Sequence, residues 1–509
     1  MEKLPGIDIA VLVAYLVAIV AMGCWFIGRS GTTSQFMAAG RSLPGWALGL
    51  SIFGSYISSI SFLANPSKAF ASNWNAFAFS LATPIAALVA VRWFVPFYRR
   101  NGEVSAYEHL ERRFGPWART YAVICFLLTQ MARMGTIIYL LALAVSPLVG
   151  WDIKLIIVLT GGLMTPYPAV GGMQAVVWTG VLQSLVLVAG PVVCLIALIW
   201  MVPGGLGGIW KVAVANHKFG LGSFGPSLRE PTFWVVFVYG LVINLGNFGI
   251  DQSYVQRYMT ARDDREAGKS VWLAAVLYVP TAAAFFFIGT ALYALWMARP
   301  DVLAGPFDLA KQPDMVFPHF ISHALLPGLG GLVVAGIFAA SMDSNLNSMA
   351  TLTLCDIYKR YVRPVAGERE SMMVLYTATL GWGVAGIGVA LAMTRARLAL
   401  DVWWEMASIF SGGMLGLFLL GLISRRAGNP AAMTGVTIGI LVILWMTLSP
   451  KKGWPESLVA MRSPFHGFMI SVIGTLVILL VGLVVGGGGR ATGSRGVERV
   501  GVDEKGRRP

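Results

Sequence analysis

The sequence predicts an all-α polytopic membrane protein with about thirteen transmembrane helices. Three observations lead there. Of 509 residues, 56% are hydrophobic and 12% charged, whereas a soluble domain carries roughly 25% charged residues. The mean hydropathy is +0.71, too apolar for a water-facing surface. Apolar runs of about 20 residues, the length that crosses hydrocarbon as a helix, recur from one end of the chain to the other.

Taken in order, the spans fall at 7–28, 45–64, 74–97, 118–148, 154–170, 173–202, 232–250, 269–297, 327–354, 371–394, 404–423, 431–449 and 465–487. The first run lacks a basic leader and exceeds a signal-peptide core, so a retained helix is expected. The formal charge of +14 suggests nucleic acid, but the basic residues sit in short connections between spans, which excludes that reading. Cys24, Cys125, Cys194 and Cys355 lie in or beside apolar segments, without disulfide or metal spacing.

The positive-inside rule sets the orientation. One set of connections holds Arg99, Arg100, Arg112, Arg113 and Arg119, then Arg257, Arg262, Arg265 and Lys269, then Lys359, Arg360, Arg363 and Arg369, then Arg425 and Arg426. The expectation is a multi-pass protein of the inner or plasma membrane, N-terminus outside and C-terminus cytoplasmic. The Gly-rich, charged tail over 488–509 lacks a core-forming pattern and is expected to be disordered.

Two spans look broken. The first carries Gly54, a serine cluster (Ser55, Ser58, Ser59, Ser61, Ser67) and Asn65-Pro66; the second, "NLGNFGIDQSYVQRY", carries Gly246, Gly249 and Asp251. Non-helical backbone at membrane depth is tolerated only inside protein or around a cavity, and paired interruptions point to a binding site at the bilayer midplane. The two lie five helices apart. That spacing suits two inverted repeats, 45–202 and 232–423, preceded by an N-terminal helix and loop (1–44), separated by an external loop (203–231) and followed by two C-terminal helices (424–487). Small residues at ordinary helix contacts are the other reading of each stretch alone.

Four stretches resemble the sodium/solute symporter family: "GRSLPGWALGLSIFGSYISSISFLA", "GGMQAVVWTGVLQ", "DQSYVQRYMTA" and "AASMDSNLNSMATLTLCDIYKRY". "SYISSISFLANPSKAFASNW", followed by an intramembrane arginine, is most similar to the bacterial sodium/sialic acid symporters. The resemblance implies a LeuT-like fold of 5+5 inverted repeats, with one extra N-terminal and two extra C-terminal helices. It implies sodium as the coupling ion, no other cofactor, and a small-molecule partner in the bilayer. On the sodium site, the match falls on the carbonyls of Gly54 and Ile57 and on Ile337, Ala340 and Ser341. Oxygen ligands suit this hard cation, but Ala340 stands where the family has a hydroxyl. A second departure is Gly180, where the motif "AVxWTDxxQ" has an aspartate belonging to a second sodium site. Asp343 and Ser344 occupy the matching serine positions on the facing helix. The expectation is that the negative charge has moved across the same cavity; an Asp343 that caps or pairs near a helix end is the alternative.

Arg133, in "TQMARMGTIIYLL", has no acid within one helical turn. An intramembrane ionisable group points to a functional site, and guanidinium binds carboxylate with two parallel bonds. The resemblance places it on the solute carboxylate, with Ser58, Ser59, Ser61, Tyr56 and Ser80 at other solute-facing positions. A permanent salt bridge from Arg133 to Asp251 or Asp343 is the other reading. Tyr254 matches an inner-gate tyrosine, or is an interfacial aromatic.

Other signals are set aside. "AGKS" lacks the first glycine of a phosphate loop and opens a span. His319 and His323 read as a solvated helix face, and Trp403, Trp404 and Glu405 as a helix entrance. No nucleophile–base set or metal cluster indicates an enzyme. The expected function is sodium-coupled symport of a small carboxylate or sugar acid by alternating access. Sodium- or proton-coupled transport of a neutral sugar, and a transporter-derived sensor or channel, are the alternatives.

Overall fold

Hydrocarbon offers no partner for backbone N–H and C=O groups, so a chain of apolar runs must satisfy them within helices. The computed structural model describes residues 5–26, 31–102, 104–303, 313–341, 345–394, 407, 413–451 and 454–488. Of the tail expected to be disordered, 488–509, Gly488 ends the last helix and 489–509 lie outside the described residues, as do the pair Asp343–Ser344 and the group Trp403–Glu405.

The helices are α1 (Gly6–Trp25), the short α2 (Thr33–Ala38), α3 (Gly45–Tyr56), α4 (Ser59–Ala71), α5 (Asn75–Asn101), α6 (Glu108–Phe114) and α7 (Pro116–Val149). Then come α8 (Ile153–Met164), α9 (Pro166–Met201), α10 (Gly205–Ala215), α11 (Phe233–Ile250), α12 (Gln252–Met259) and α13 (Asp264–Ala298). The chain continues through α14 (Val316–His323), α15 (Leu329–Ser341), α16 (Asn345–Leu352), α17 (Glu368–Met393), α18 (Met414–Ile423), α19 (Asn429–Leu448) and α20 (Met469–Gly488). Among the described residues nine helices are long and apolar enough to cross a membrane, or ten if α3 and its bent continuation are one span. The other three expected spans fall on the shorter α8, α15 and α18, so length and composition alone do not carry the count to thirteen.

Both interruptions are present, but not where every breaker residue stands. In the first span the chain leaves the helix at Ile57 (ψ 102°) and Ser58 (ψ 170°), and the halves are bent by 52°. Asn65-Pro66 lies inside α4. Pro66 costs the helix one N–H, yet its turn is confined: a Cβ on Gly289 of α13 would overlap the Pro66 carbonyl oxygen. In the second span α11 runs unbroken through Gly246 and Gly249, and the break comes at Asp251 (ψ 115°). Gly249 serves packing, since a Cβ there would lie 2.7 Å from the Phe94 ring.

The arginine-rich ends of the two broken spans are latched together. An isolated parallel bridge pairs Leu43 with Ala261, through Leu43 N–H to the Thr260 carbonyl (3.2 Å) and Arg262 N–H to the Leu43 carbonyl (3.3 Å). Gly45 N–H donates to Glu266 Oε2 at 2.7 Å. On the same side Asp356, buried, is paired with Arg119 and accepts from Ser105 Oγ at 2.8 Å.

At the other end of the molecule Lys218 is buried in the connection after α10. Its Nζ donates to the Phe70 and Ser72 carbonyls (2.7 and 3.0 Å) at the end of α4 and lies 3.6 Å from the centre of the Tyr293 ring. Desolvation pushes its pKa down to about 8. His319 is not the solvated residue expected: it is buried and its ring stacks on His323 at 4.1 Å.

Asp8, in the first turn of α1, is also buried, and its Oδ1 accepts from Gly328 N–H (2.6 Å) and Gly331 N–H (2.7 Å) at the start of α15. Asp8→Ala orphans both amides and is expected to cost about 1–2 kcal/mol, read as a lower Tm of the detergent-purified protein. Asp8→Asn, which keeps an acceptor, is expected to lose less.

Candidate functional site

Breaking a helix in a membrane releases carbonyls from the half that ends and N–H groups from the half that begins. At the first break the carbonyl of Ser55 is released from α3, and two side chains converge on it. Arg133 Nη2, from the middle of α7, donates to it at 2.9 Å, and Tyr254 Oη, from α12, donates at 3.2 Å. The guanidinium therefore points at the interruption and is half-buried.

The serines divide by role. Ser55 Oγ donates back to the Ser51 carbonyl (3.2 Å) and Ser67 Oγ to the Leu63 carbonyl (2.8 Å), which occupies them within their own helices. Ser59 Oγ reaches across to the Ile137 carbonyl of α7 at 3.4 Å. Ser58 and Ser59 are buried and Ser61 is half-buried, all at the start of α4. A helix N-terminus favours negative charge, so this turn and Arg133 flank the break with the same electrostatic sign.

Tyr56 is the last residue of α3. Its ring packs against Phe248, Tyr254 and Tyr278, with centroids 5.3, 5.0 and 5.1 Å away. Ser80, buried in α5, lies against the Tyr278 hydroxyl. Tyr254 is itself buried within α12, which opposes an interfacial role. The second break is capped by its own acid: Asp251 Oδ1 accepts from Ser253 N–H at 2.8 Å, and Oδ2 accepts from Gln130 Nε2 at 2.8 Å. Gln130 lies one turn before Arg133 on α7.

The third element beside the first break is α15. A Cβ on its Gly336 would lie 3.3 Å from the Phe62 ring of α4. Ile337 is buried, and Ala340 and Ser341 complete the helix. The candidate sodium positions Gly54, Ile57, Ile337, Ala340 and Ser341 thus lie on two elements that pack together. Asp343 and Ser344 lie outside the described residues, and among the described residues no cluster of His, Cys, Asp or Glu has metal-holding geometry.

A family model for the sodium:solute symporter family matches residues 36–439. The chain belongs to this family. It is 32% identical over 488 residues to the sodium/sialic acid symporter SiaT of Proteus mirabilis, covering 94% of each chain. It is 31% identical over 478 residues to the sodium/sialic acid symporter NanT of Aliivibrio fischeri, covering 92% of this chain and 91% of the other. A solved substrate-bound, outward-open sodium-coupled sialic acid symporter superposes with a TM-score of 0.85 at 29% identity, covering 95% of this chain and 98% of that one. The fold is accordingly LeuT-like, and the symporter performs sodium-coupled uptake of a small organic solute.

The structure gives a physical reason for Gly180. A Cβ there would meet Ser51 of α3 at 2.7 Å (Oγ), 3.1 Å (Cβ) and 3.2 Å (Cα). One turn on, Ser184 Oγ lies 2.6 Å from the Leu50 carbonyl and 2.7 Å from that of Gly180, and a Cβ on Gly54 would lie 2.6 Å from Ser184 Oγ. Small residues on α3 and α9 thus bring the two backbones close, and any side chain at position 180 would have to displace Ser51.

Sequence reading missed Gln130, Tyr278 and Ser184, because each is defined by a partner far along the chain. Gln130, uncharged within an apolar span, carries the one usable signal: a buried amide requires partners. Gly180→Asp is expected to lower the Tm and to leave the sodium dependence of uptake no steeper. Adding Ser51→Gly is expected to recover much of the lost stability, by thermal melts of the single and double variants.

Proposed function

We propose that this symporter takes up a small organic anion of the sugar-acid or carboxylate class by alternating access, in the cell membrane, with its N-terminus outside and its C-terminus in the cytoplasm. The observation that carries the reading is Arg133, a guanidinium at mid-membrane on the carbonyl that the first break releases. A site with Arg133 and the N-terminal turn of α4 attracts a carboxylate, and arginine supplies donors in a fork that matches it. The sialic acid named for the relatives is such an acid, which supports the class.

In this reading Ser58, Ser59 and Ser61 face the solute, Tyr56 and Ser80 shape its wall, and Tyr254 is the inner gate, its hydroxyl closing onto the Ser55 carbonyl. Sodium is held by carbonyls at Gly54, Ile57 and Ile337 with the α15 end at Ala340 and Ser341, where Ala340 has only a backbone oxygen to offer. Because the same short stretch of backbone serves the ion and the solute, sodium binding organises the hinge on which the solute then rests. A second cation site at Asp343 and Ser344 would replace the carboxylate that Gly180 lacks; the close approach of α3 and α9 at Gly180 supports a charge carried elsewhere.

Counterflow in proteoliposomes, with sialic acid and a panel of carboxylates and neutral sugars, with and without sodium, tests the reading. Acids are expected to exchange only with sodium present; exchange of neutral sugars alone would overturn it. Arg133→Lys is expected to weaken acid binding at least about tenfold, the equivalent of about 1.4 kcal/mol; unchanged affinity would remove Arg133 from the solute site. Uptake of a monoanion with one sodium carries no current, whereas two sodium ions move one charge, worth about 2.3 kcal/mol per 100 mV. An Asp343→Asn variant that keeps the sodium activation of the unmodified protein would end the second-site reading.

A further inference from the structure

Three side chains from three elements form one hydrogen-bonded chain. Asp251 Oδ2 accepts from Gln130 Nε2 at 2.8 Å, and Gln130 Oε1 in turn accepts from Asn345 Nδ2. An ionised carboxylate presents acceptors only. With Asp251 ionised, Gln130 has one way round, its NH₂ toward Asp251 and its oxygen toward Asn345, which is the orientation observed. Gln130 and Asn345 are each 1% exposed, so an unmade bond would not be replaced by bulk water.

The three residues belong to three different elements. Asp251 is the break that caps α12, Gln130 is one turn from Arg133 on α7, and Asn345 opens α16, four positions after the end of α15 at Ser341. The chain thus joins the capped second break to the start of α16 through the turn of α7 that precedes Arg133.

We propose that Gln130 is a positioning residue that couples the two sites: the charge on Asp251 locks its amide, and the locked amide holds the Arg133 turn of α7 in register with the start of α16. Solute and sodium affinities therefore move together when it is lost. The link to affinity rests on the roles proposed above for Arg133 and α15; the charge-locked amide does not.

The test has two arms. Gln130→Glu sets a second carboxylate against Asp251, and facing carboxylates cannot both ionise. Tyr56 and Tyr107 interact with Asp251, Tyr254 follows it in the first turn of α12, and Arg133 lies one turn along α7 from Gln130; arginine stays charged and tyrosines stay protonated between about pH 5.5 and 8, and the unmodified protein run in parallel accounts for titration elsewhere. Q130E is expected to melt several degrees lower at about pH 8 and to recover at about pH 5.5. Q130E/D251N, in which the introduced carboxylate accepts from an amide on each side, is expected to lose that pH dependence. A double variant as pH-sensitive as Q130E, or a Q130E melt indifferent to pH, overturns the charge lock.

In the second arm, proteoliposomes carrying Gln130→Leu are assayed with sialic acid as the probe. Half-saturating sodium and sialic acid are expected to rise together by about tenfold, with the maximal rate within about threefold. A shift in one alone, or in neither, overturns the coupling role. Unmodified protein that takes up no sialic acid refutes the solute reading instead, and the pH arm then decides the charge lock by itself.

Discussion

The carbonyl of Ser55 is the group on which the rest of the site depends. A helix that stops at mid-membrane must find partners for the groups it releases, because each orphan costs several kcal/mol in hydrocarbon. Here the partners are Arg133 and Tyr254, from two other helices. One released oxygen therefore joins the first broken span, the scaffold helix α7 and the second broken span. It also explains how a guanidinium resides at this depth: part of its hydrogen bonding is met by backbone that is itself in need of a donor.

The second break follows a different rule. Asp251 caps α12 with its own carboxylate and takes the amide of Gln130 from α7. Beyond it α12 is polar in composition yet buried at all eight positions. Its Gln256 donates to the Met37 carbonyl, Asn347 Oδ1 and Thr351 Oγ1 at 2.7 to 3.0 Å, and the Ala106 N–H donates to Gln252 Oε1 at 2.7 Å. The arginine-rich side is thus held by these neutral amides, by the bridge between Leu43 and Ala261, and by charged groups, Arg99 on Asp264 and the Ala261 carbonyl and Glu266 on Gly45. Neutral hydrogen bonds are individually modest, about 0.5–1.5 kcal/mol each, and their exchange for water costs less than stripping a buried ion pair. Deeper on the same side Arg119 and Asp356 tie α7 to the segment that continues α16 with charge.

Close packing decides what the polar groups can be. Where α3 meets α9, Gly54, Ser51, Gly180 and Ser184 interlock so tightly that a single Cβ at Gly180 would intrude on α3. Backbone proximity and a side chain at position 180 compete for the same space, and in this chain proximity has it. The serine-rich stretch shows the same division of labour, with Ser55 and Ser67 bonded within their own helices and Ser59 crossing to α7.

Much of this is legible in the sequence. Length and hydropathy alone dictate membrane helices, because an open chain satisfies its backbone in lipid only as helix, and polar clusters in two apolar spans five helices apart mark the interruptions. Arg133 stands out because a charge at that depth requires a reason. Where each break falls is not legible: Asn65-Pro66 and Gly249 are breakers by local propensity, yet tertiary contacts with Gly289 and Phe94 keep both within helices, while Ile57 and Asp251 carry the turns. His319 reads as solvated and is buried. The partners of Ser55, Gln130 and Gly180 lie from 78 to 199, 121 to 215 and about 130 positions away along the chain, and only packing in three dimensions selects them. Local chemistry determined which groups would need partners; the tertiary structure decided which partners they found, because hydrogen bonds and steric exclusion act over a few ångströms of space whatever the separation in sequence.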